Sequence, residues 1–356
     1  MHKRLSRLGV LCSFTLLAAA GCGGSGGAGE PSGPAVEPIV AAADTWTWVD
    51  FPDSKCASGS ATGIGINPHA GSKKLVIYLE GGGSCNDAQS CWVDQTAAHV
   101  EGYAAAEFAK EPKLKNLGLL SRDPGRGSPF TDANMIFVPY CTGDWHAGYN
   151  QHTFIVNGVA KDTYFWGGHN IDLYLARLAA TFPDVEKVWL TGTSAGGAGT
   201  ITTYFKVHDT FNVRTDVIND SGTPLALSRD VDSQTTWGVK PAVGCETCDT
   251  AQDMVDLIRR TYPETRYAFI SFEYDNVLAK GYGISLTQFN DELNAMLTHF
   301  ASDANFASFT VNNALDHPQH VVMGHYTLTT TQQQLQDWLT QMANDEPWGS
   351  VNVDPQ

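Results

Sequence analysis

The sequence predicts an α/β fold: a mainly parallel sheet with helices on both faces. Three observations lead there. Apolar runs of strand length alternate with stretches whose apolar residues recur at helical spacing. The central runs are continuously apolar, as strands buried on both faces must be. Residues with chemistry to offer sit just past the C-terminal ends of those runs, where such sheets gather their active groups.

The first 21 residues read as an export signal. His2 to Arg7 is basic, Leu8 to Ala20 is apolar and too short for a permanent membrane span, and small residues precede Gly21-Cys22. Ala18-Ala-Ala-Gly-Cys22 resembles a lipoprotein cleavage site, which would leave Cys22 lipidated at a bacterial cell envelope. Cleavage without lipidation would give a secreted protein instead. Residues 22–43 are a Gly/Ser/Pro-rich tether, densest from Gly23 to Pro38. Residues 44–356 carry no second linker and no repeat, so a single catalytic-size domain is expected.

The formal charge is −16, and loss of Lys3, Arg4 and Arg7 with the leader would take it three units further, to −19. Such acidity argues against nucleic acid and anionic membrane surfaces as partners. A lipid on Cys22 would be the one membrane contact, and a monomer is expected.

Taken in order, Lys74–Leu79 is a buried-type strand ending at Glu80-Gly-Gly-Gly83, and Asn134–Tyr140 is a second. Ile171–Thr181 has helical spacing and stops before Pro183. Val188–Leu190 is the core of a strand running into Gly192-Thr-Ser194-Ala-Gly196, with a helix expected from Gly197 to His208. Thr215–Asn219, Arg266–Phe272 and Phe306–Val311 complete the strands, the last of these being the final one, and a closing helix starts at Thr330.

Strand, sharp turn and helix around G-x-S-x-G is the context of a nucleophile elbow. The turn strains the serine and lifts its hydroxyl from the sheet, and side chains at Gly192 or Gly196 would collide across it. A serine hydroxyl needs a base, a carboxylate to orient that base, and donors for the developing oxyanion. In this fold their chain order is Ser, acid, His. The Gly-rich turn after the first strand offers Gly82 and Gly83 as amide donors, with Ala195 completing the hole. A phosphate loop is excluded, since no G-x-x-x-x-G-K-[ST] is present. Asp275 and Asp220 both follow strands and both lie between the serine and the histidines. For the base, His320 leads into an apolar run that can anchor its loop, while Pro318 restricts His317 to extended backbone. His325, further on, reads as structural. No cofactor or metal is expected. Cys245-Glu-Thr-Cys248 lacks a second ligand pair, and six cysteines in an exported chain suggest three disulfides.

These residues resemble the pectin acetylesterase and Notum carboxylesterase family. The resemblance runs from Cys56 to about His325, through Tyr78-Leu-Glu-Gly-Gly-Gly-Ser-Cys85, Asn134 to Cys141, Gly192 to Gly197, Asp220-Ser-Gly222 and Phe272-Glu-Tyr-Asp275. It implies an α/β-hydrolase cleaving carboxylic esters. It places Ser194 as nucleophile, Asp275 as acid and Asp220 in a supporting role. It further implies disulfides Cys56–Cys141 and Cys85–Cys91, leaving Cys245–Cys248. Two departures stand out: Gly83 replaces a frequent Trp, which would open the edge of the acyl pocket, and the spacing around His317 and His320 differs.

The expected function is therefore a serine carboxylesterase acting on short, acetyl-type O-acyl esters of a polysaccharide or a small molecule. Trp145 and His146 are candidates for lining its substrate cleft. The acidic chain disfavours pectin itself. The alternatives are a binding or scaffold protein that keeps the fold without the chemistry, and a peptidase using the same three residues.

Overall fold

The computed structural model describes residues 36–227, 235–245, 248–324 and 329–355. The expected leader, Cys22, most of the expected tether and His325 lie outside the described residues. The folded body starts earlier than Asp44: Ile39 is buried and its N–H donates to Thr181 Oγ1.

The strands are β1 (Thr47–Phe51), β2 (Thr62–Asn67), β3 (Lys74–Leu79), β4 (Asn134–Val138), β5 (Asn150–Val156), β6 (Val159–Phe165), β7 (Lys187–Thr193), β8 (Arg214–Asp220), β9 (Tyr267–Phe272), β10 (Phe306–Val311) and β11 (Val351–Val353). The helices used below are α1 (Gly167–Thr181), α2 (Ala195–Phe211), α3 (Ala251–Thr261), α4 (Asn276–Tyr282), α5 (Leu286–Phe300) and α6 (Thr329–Ala343). Nine strands form one sheet in the order β1-β2-β4-β3-β7-β8-β9-β10-β11. The pairs from β4–β3 to β10–β11 are parallel, and β1–β2 and β2–β4 are antiparallel. This is an α/β-hydrolase-like architecture.

The alternation along β3 explains its continuous apolar run. Leu75, Ile77 and Leu79 pack on one side with Tyr174 and Leu178 of α1, Tyr204 of α2 and Phe289 of α5. Val76 and Tyr78 pack on the other with Trp189, Phe309 and, from α6, Leu335 and Trp338. Each face is thus sealed by helices, which is why β3 is almost wholly apolar. No helix among the described residues is long and apolar enough to cross a membrane.

Several boundaries differ from expectation. Strand β4 stops at Val138 because Pro139 has no N–H to continue the ladder. Helix α2 begins at Ala195, immediately after the serine, and α1 begins four residues early, at Gly167. The final strand is β11, which adds three residues to the sheet edge beside β10, beyond α6. A strand so short carries too little periodicity to be read from sequence. The ribbon β5–β6 was also unread, although Asn157 and Gly158, both at positive φ, make the two-residue turn that such a hairpin needs.

Candidate active site

Five loops meet beyond the C-terminal ends of the parallel strands. The Gly-rich turn leaves β3, Ser194 leaves β7, Asp220 ends β8, Asp275 follows β9 and His320 follows β10.

Ser194 sits at φ 54°, ψ −120°, as the N-cap of α2. For a non-glycine residue that conformation costs about 1–3 kcal/mol and persists only where its surroundings enforce it. They do so here. The Ser194 N–H donates to the Asp220 carbonyl at 2.8 Å. A Cβ on Gly192 would lie 2.3 Å from the Gly196 carbonyl oxygen, and one on Gly196 would lie 2.0 Å from that of Leu79. Strand and helix can approach this closely only without those side chains.

The serine hydroxyl lies 2.8 Å from His320 Nε2, and His320 Nδ1 lies 2.6 Å from Asp275 Oδ2. Asp275 is fully buried, and its other oxygen caps α4 by accepting the N–H groups of Val277 and Leu278 at 3.0 and 2.9 Å. One carboxylate therefore starts a helix and holds an imidazole. His317 stands apart: its side chain is 79% exposed and its nearest charged neighbour is Asp316, at 3.8 Å. Of the two candidate bases, His320 is the one in contact with Ser194.

The backbone that carries His320 is tied down from two directions. Gln319 N–H donates to the Tyr274 carbonyl, and the Asn313 amide bridges the Tyr274 and His317 carbonyls. On the far side Val321 takes φ 64°, unusual for a β-branched residue. Its N–H donates to Ser221 Oγ, and those of Val322 and Met323 donate to the Asp220 carboxylate at 3.1 and 2.7 Å. Asp220 braces the loop that carries the imidazole from behind. Ser221 and Asn313 were not legible as site residues, since nothing in their local sequence marks a contact a hundred residues away or a bridge between two loops.

Burial pushes the Asp220 carboxyl up to about 6, against the pull of the three groups that donate to it. Its folded value thus exceeds the ordinary one of 3.8, so the stability it contributes in the protonated form is present below about pH 4 and lost as pH rises through about 6. Asp220→Asn cannot ionise and should lack that component. The difference in melting temperature, variant minus wild type, should therefore rise between pH 4 and 6.5; a flat difference would contradict the burial argument.

Beneath the serine, a Cβ on Gly81 would meet the Thr193 carbonyl oxygen at 2.1 Å and Ser194 Cβ at 3.0 Å. The whole Gly81–Gly83 turn, rather than its last two members, is what the close approach requires. Among the described residues, the N–H groups of Gly82, Gly83 and Ala195 donate to no protein acceptor. Trp145 is half-buried and packs edge-on against Trp237 at 5.2 Å. His146 departs from its expected place in the cleft. It is 3% exposed, its Nε2 is 2.9 Å from the Glu80 carbonyl, and burial lowers it to about 4. It is a neutral prop under the Gly-rich turn.

The sulfurs of Cys56–Cys141, Cys85–Cys91 and Cys245–Cys248 are bonded. Among the described residues no cluster of His, Cys, Asp or Glu could hold a metal ion. A hollow of about 310 Å³ lined by Pro68, His69, Asn134, Phe182 and Pro183 opens at the N-terminal ends of the strands, the wrong edge of the sheet for this chemistry.

A family profile described as Pectinacetylesterase matches residues 46–237, more than half of the chain. That stretch contains the Gly-rich turn, Ser194 and Asp220, and ends before Asp275 and His320. The chain is 30% identical over 158 residues to the palmitoleoyl-protein carboxylesterase NOTUM of Schmidtea mediterranea, covering 42% of this chain and 28% of that one. It is 27% identical over 173 residues to pectin acetylesterase 4 of Arabidopsis thaliana, covering 47% and 40%. The matched stretch thus spans less than half the length of either curated relative. The solved structure of the Wnt deacylase Notum from Drosophila superposes with a TM-score of 0.63 at 16% identity, over 87% of this chain and 97% of that one. At that identity the likeness speaks for the fold.

Proposed function

The chain belongs to the pectinacetylesterase family, and from that premise we propose that it is a serine carboxylesterase with Ser194 as nucleophile, His320 as base and Asp275 as the acid. The observation that carries this is the unbroken path from Ser194 Oγ through the His320 ring to Asp275, with links of 2.8 and 2.6 Å.

The distances support the following steps. Ser194 Oγ attacks the ester carbonyl while His320 Nε2 takes its proton. Asp275 keeps the Nδ1 proton in place and stabilises the imidazolium that forms. The N–H groups of Gly82, Gly83 and Ala195 are free to receive the oxyanion, and α2 begins at that point, so its positive end faces the developing charge. His320 then returns the proton to the leaving alcohol, and water repeats the sequence on the acyl-enzyme.

For the substrate we propose short, acetyl-type esters on a polysaccharide or small molecule, in line with the name shared by the family profile and the plant relative. The three disulfides fit a chain that folds in an oxidising compartment, as an exported esterase would. Anchoring through Cys22 belongs to the same proposal. A fluorophosphonate probe tests the chemistry, because it phosphonylates a serine only when a base activates it. The probe should add once, and peptide mapping should locate the adduct on Ser194. An unlabelled folded protein, or an adduct elsewhere, would remove the assignment.

A further inference from the structure

We propose that Lys113 and Glu80 are positioning residues for ester hydrolysis: their ion pair fixes the Gly-rich turn and cancels a carboxylate charge that would otherwise stand behind the oxyanion donors. This rests on the esterase assignment above.

Glu80 joins β3 to Gly81 and is 1% exposed. Every polar group it has is engaged. Its N–H donates to the Val138 carbonyl at 3.0 Å, and its carbonyl meets His146 Nε2 at 2.9 Å. One carboxylate oxygen accepts from Lys113 Nζ at 2.6 Å and the other from the Tyr140 N–H at 3.0 Å. Tyr140 in turn reaches forward: its hydroxyl donates to the Gly83 carbonyl at 2.9 Å while accepting the Trp145 N–H at 3.0 Å. The turn is therefore clamped at both ends, by Glu80 directly and at Gly83 through Tyr140. The second clamp runs back to the Glu80 carboxylate, which accepts the Tyr140 N–H.

The arrangement is unusual in charge. Glu111 is also buried, lies 3.3 Å from the same Lys113 ammonium and accepts from the Tyr103 hydroxyl at 3.2 Å. Two buried carboxylates share one cation. Burial raises the Glu80 carboxyl, and Lys113 pulls it back toward the charged form. A hydrogen-bonded brace alone could be built from neutral amides at less desolvation cost. A carboxylate at the root of a turn whose amides must receive negative charge works against them unless it is neutralised, and Lys113 does this from the start of the short helix Lys113–Asn116, outside the glycine motif.

Charge and shape can be separated by a double-mutant cycle. Lys113→Met removes the one cation that Glu80 and Glu111 share. Glu80→Gln keeps an oxygen for the Tyr140 N–H and removes the charge. On p-nitrophenyl acetate, Lys113→Met should lower kcat by roughly 10- to 100-fold with KM nearly unchanged, since the loss falls on the oxyanion. The combined Glu80→Gln/Lys113→Met protein should recover to within about threefold of Glu80→Gln alone. Affinity for a boronic acid, which mimics the tetrahedral adduct, should follow kcat. Lys113→Arg keeps the charge and should stay near wild type, which preserves the test if the methionine variant folds poorly. The inference is overturned if folded Lys113→Met turns over like wild type, if the double variant is no better than Lys113→Met, or if folded Lys113→Arg is as impaired as Lys113→Met. Failure of the esterase assignment would look different: Ser194 would not take the fluorophosphonate even in the wild type.

Discussion

Replacing His320 with alanine should lower kcat for p-nitrophenyl acetate by at least about 10⁴-fold, while His317→Ala should stay within about twofold of wild type. The contrast follows from position. His320 is the only ring within hydrogen-bonding distance of Ser194 Oγ among the described residues, at 2.8 Å, and its side chain is 16% exposed. Without it the hydroxyl keeps its proton, and the free N–H groups of the turn can polarise a carbonyl that nothing attacks. The His317 side chain is 79% exposed and its charged neighbour among the described residues is Asp316, at 3.8 Å, so its loss removes no contact on which the chemistry depends. Both variants should melt near the wild-type temperature, because neither imidazole fills the core. An active His320→Ala protein would refute the mechanism, and an inactive, folded His317→Ala protein would assign the base wrongly.

How much of this was legible depends on how local each constraint is. The elbow was legible because its glycines, its serine and the strand before it fall within a few residues, and the clash that demands those glycines is between chain neighbours. The central strands were legible because burial on two faces leaves no room for alternation. The antiparallel strands β1 and β2 were not, since both are short, β2 is interrupted by Gly63 and Gly65, and their pairing lies at the edge of the sheet. Helices α3 and α5 went unread despite complete capping boxes, Thr250 with Asp253 and Ser285 with Gln288. Here the signal existed, because the cap residues stand three apart just before each apolar stripe.

Local rules leaned toward His320 over His317, through the restriction that Pro318 puts on His317, without separating them. Both precede apolar or proline-bearing sequence, and a shift of three residues changes no composition. What separates them is the cradle that Asp220 and Ser221 present to Val321, Val322 and Met323, about a hundred residues away in the chain. The same holds for Lys113, which lies in no motif and reaches Glu80 from the short helix Lys113–Asn116, 33 residues along the chain. Long-range polar contacts of this kind fix the chemistry, and periodicity carries no trace of them.

Asp275→Asn should cost on the order of 10⁴-fold in kcat and almost nothing in stability. The two halves of the expectation come from the two oxygens. Oδ1 caps α4 through the N–H groups of Val277 and Leu278, and an asparagine oxygen can serve there equally well, asparagine being as good a cap as aspartate. That leaves the amide nitrogen facing His320 Nδ1 in place of Oδ2. A donor at this position favours the tautomer with its proton on Nε2, the atom that should take the proton from Ser194, and it removes the charge that stabilises the imidazolium. Asp275→Ala should lose the cap as well, at a further cost of about 1 kcal/mol in stability. Melting curves and p-nitrophenyl acetate kinetics on both variants read the two effects separately. An Asp275→Asn protein that is folded and fully active would show that His320 needs no carboxylate to orient it, and the assignment of the acid would fail.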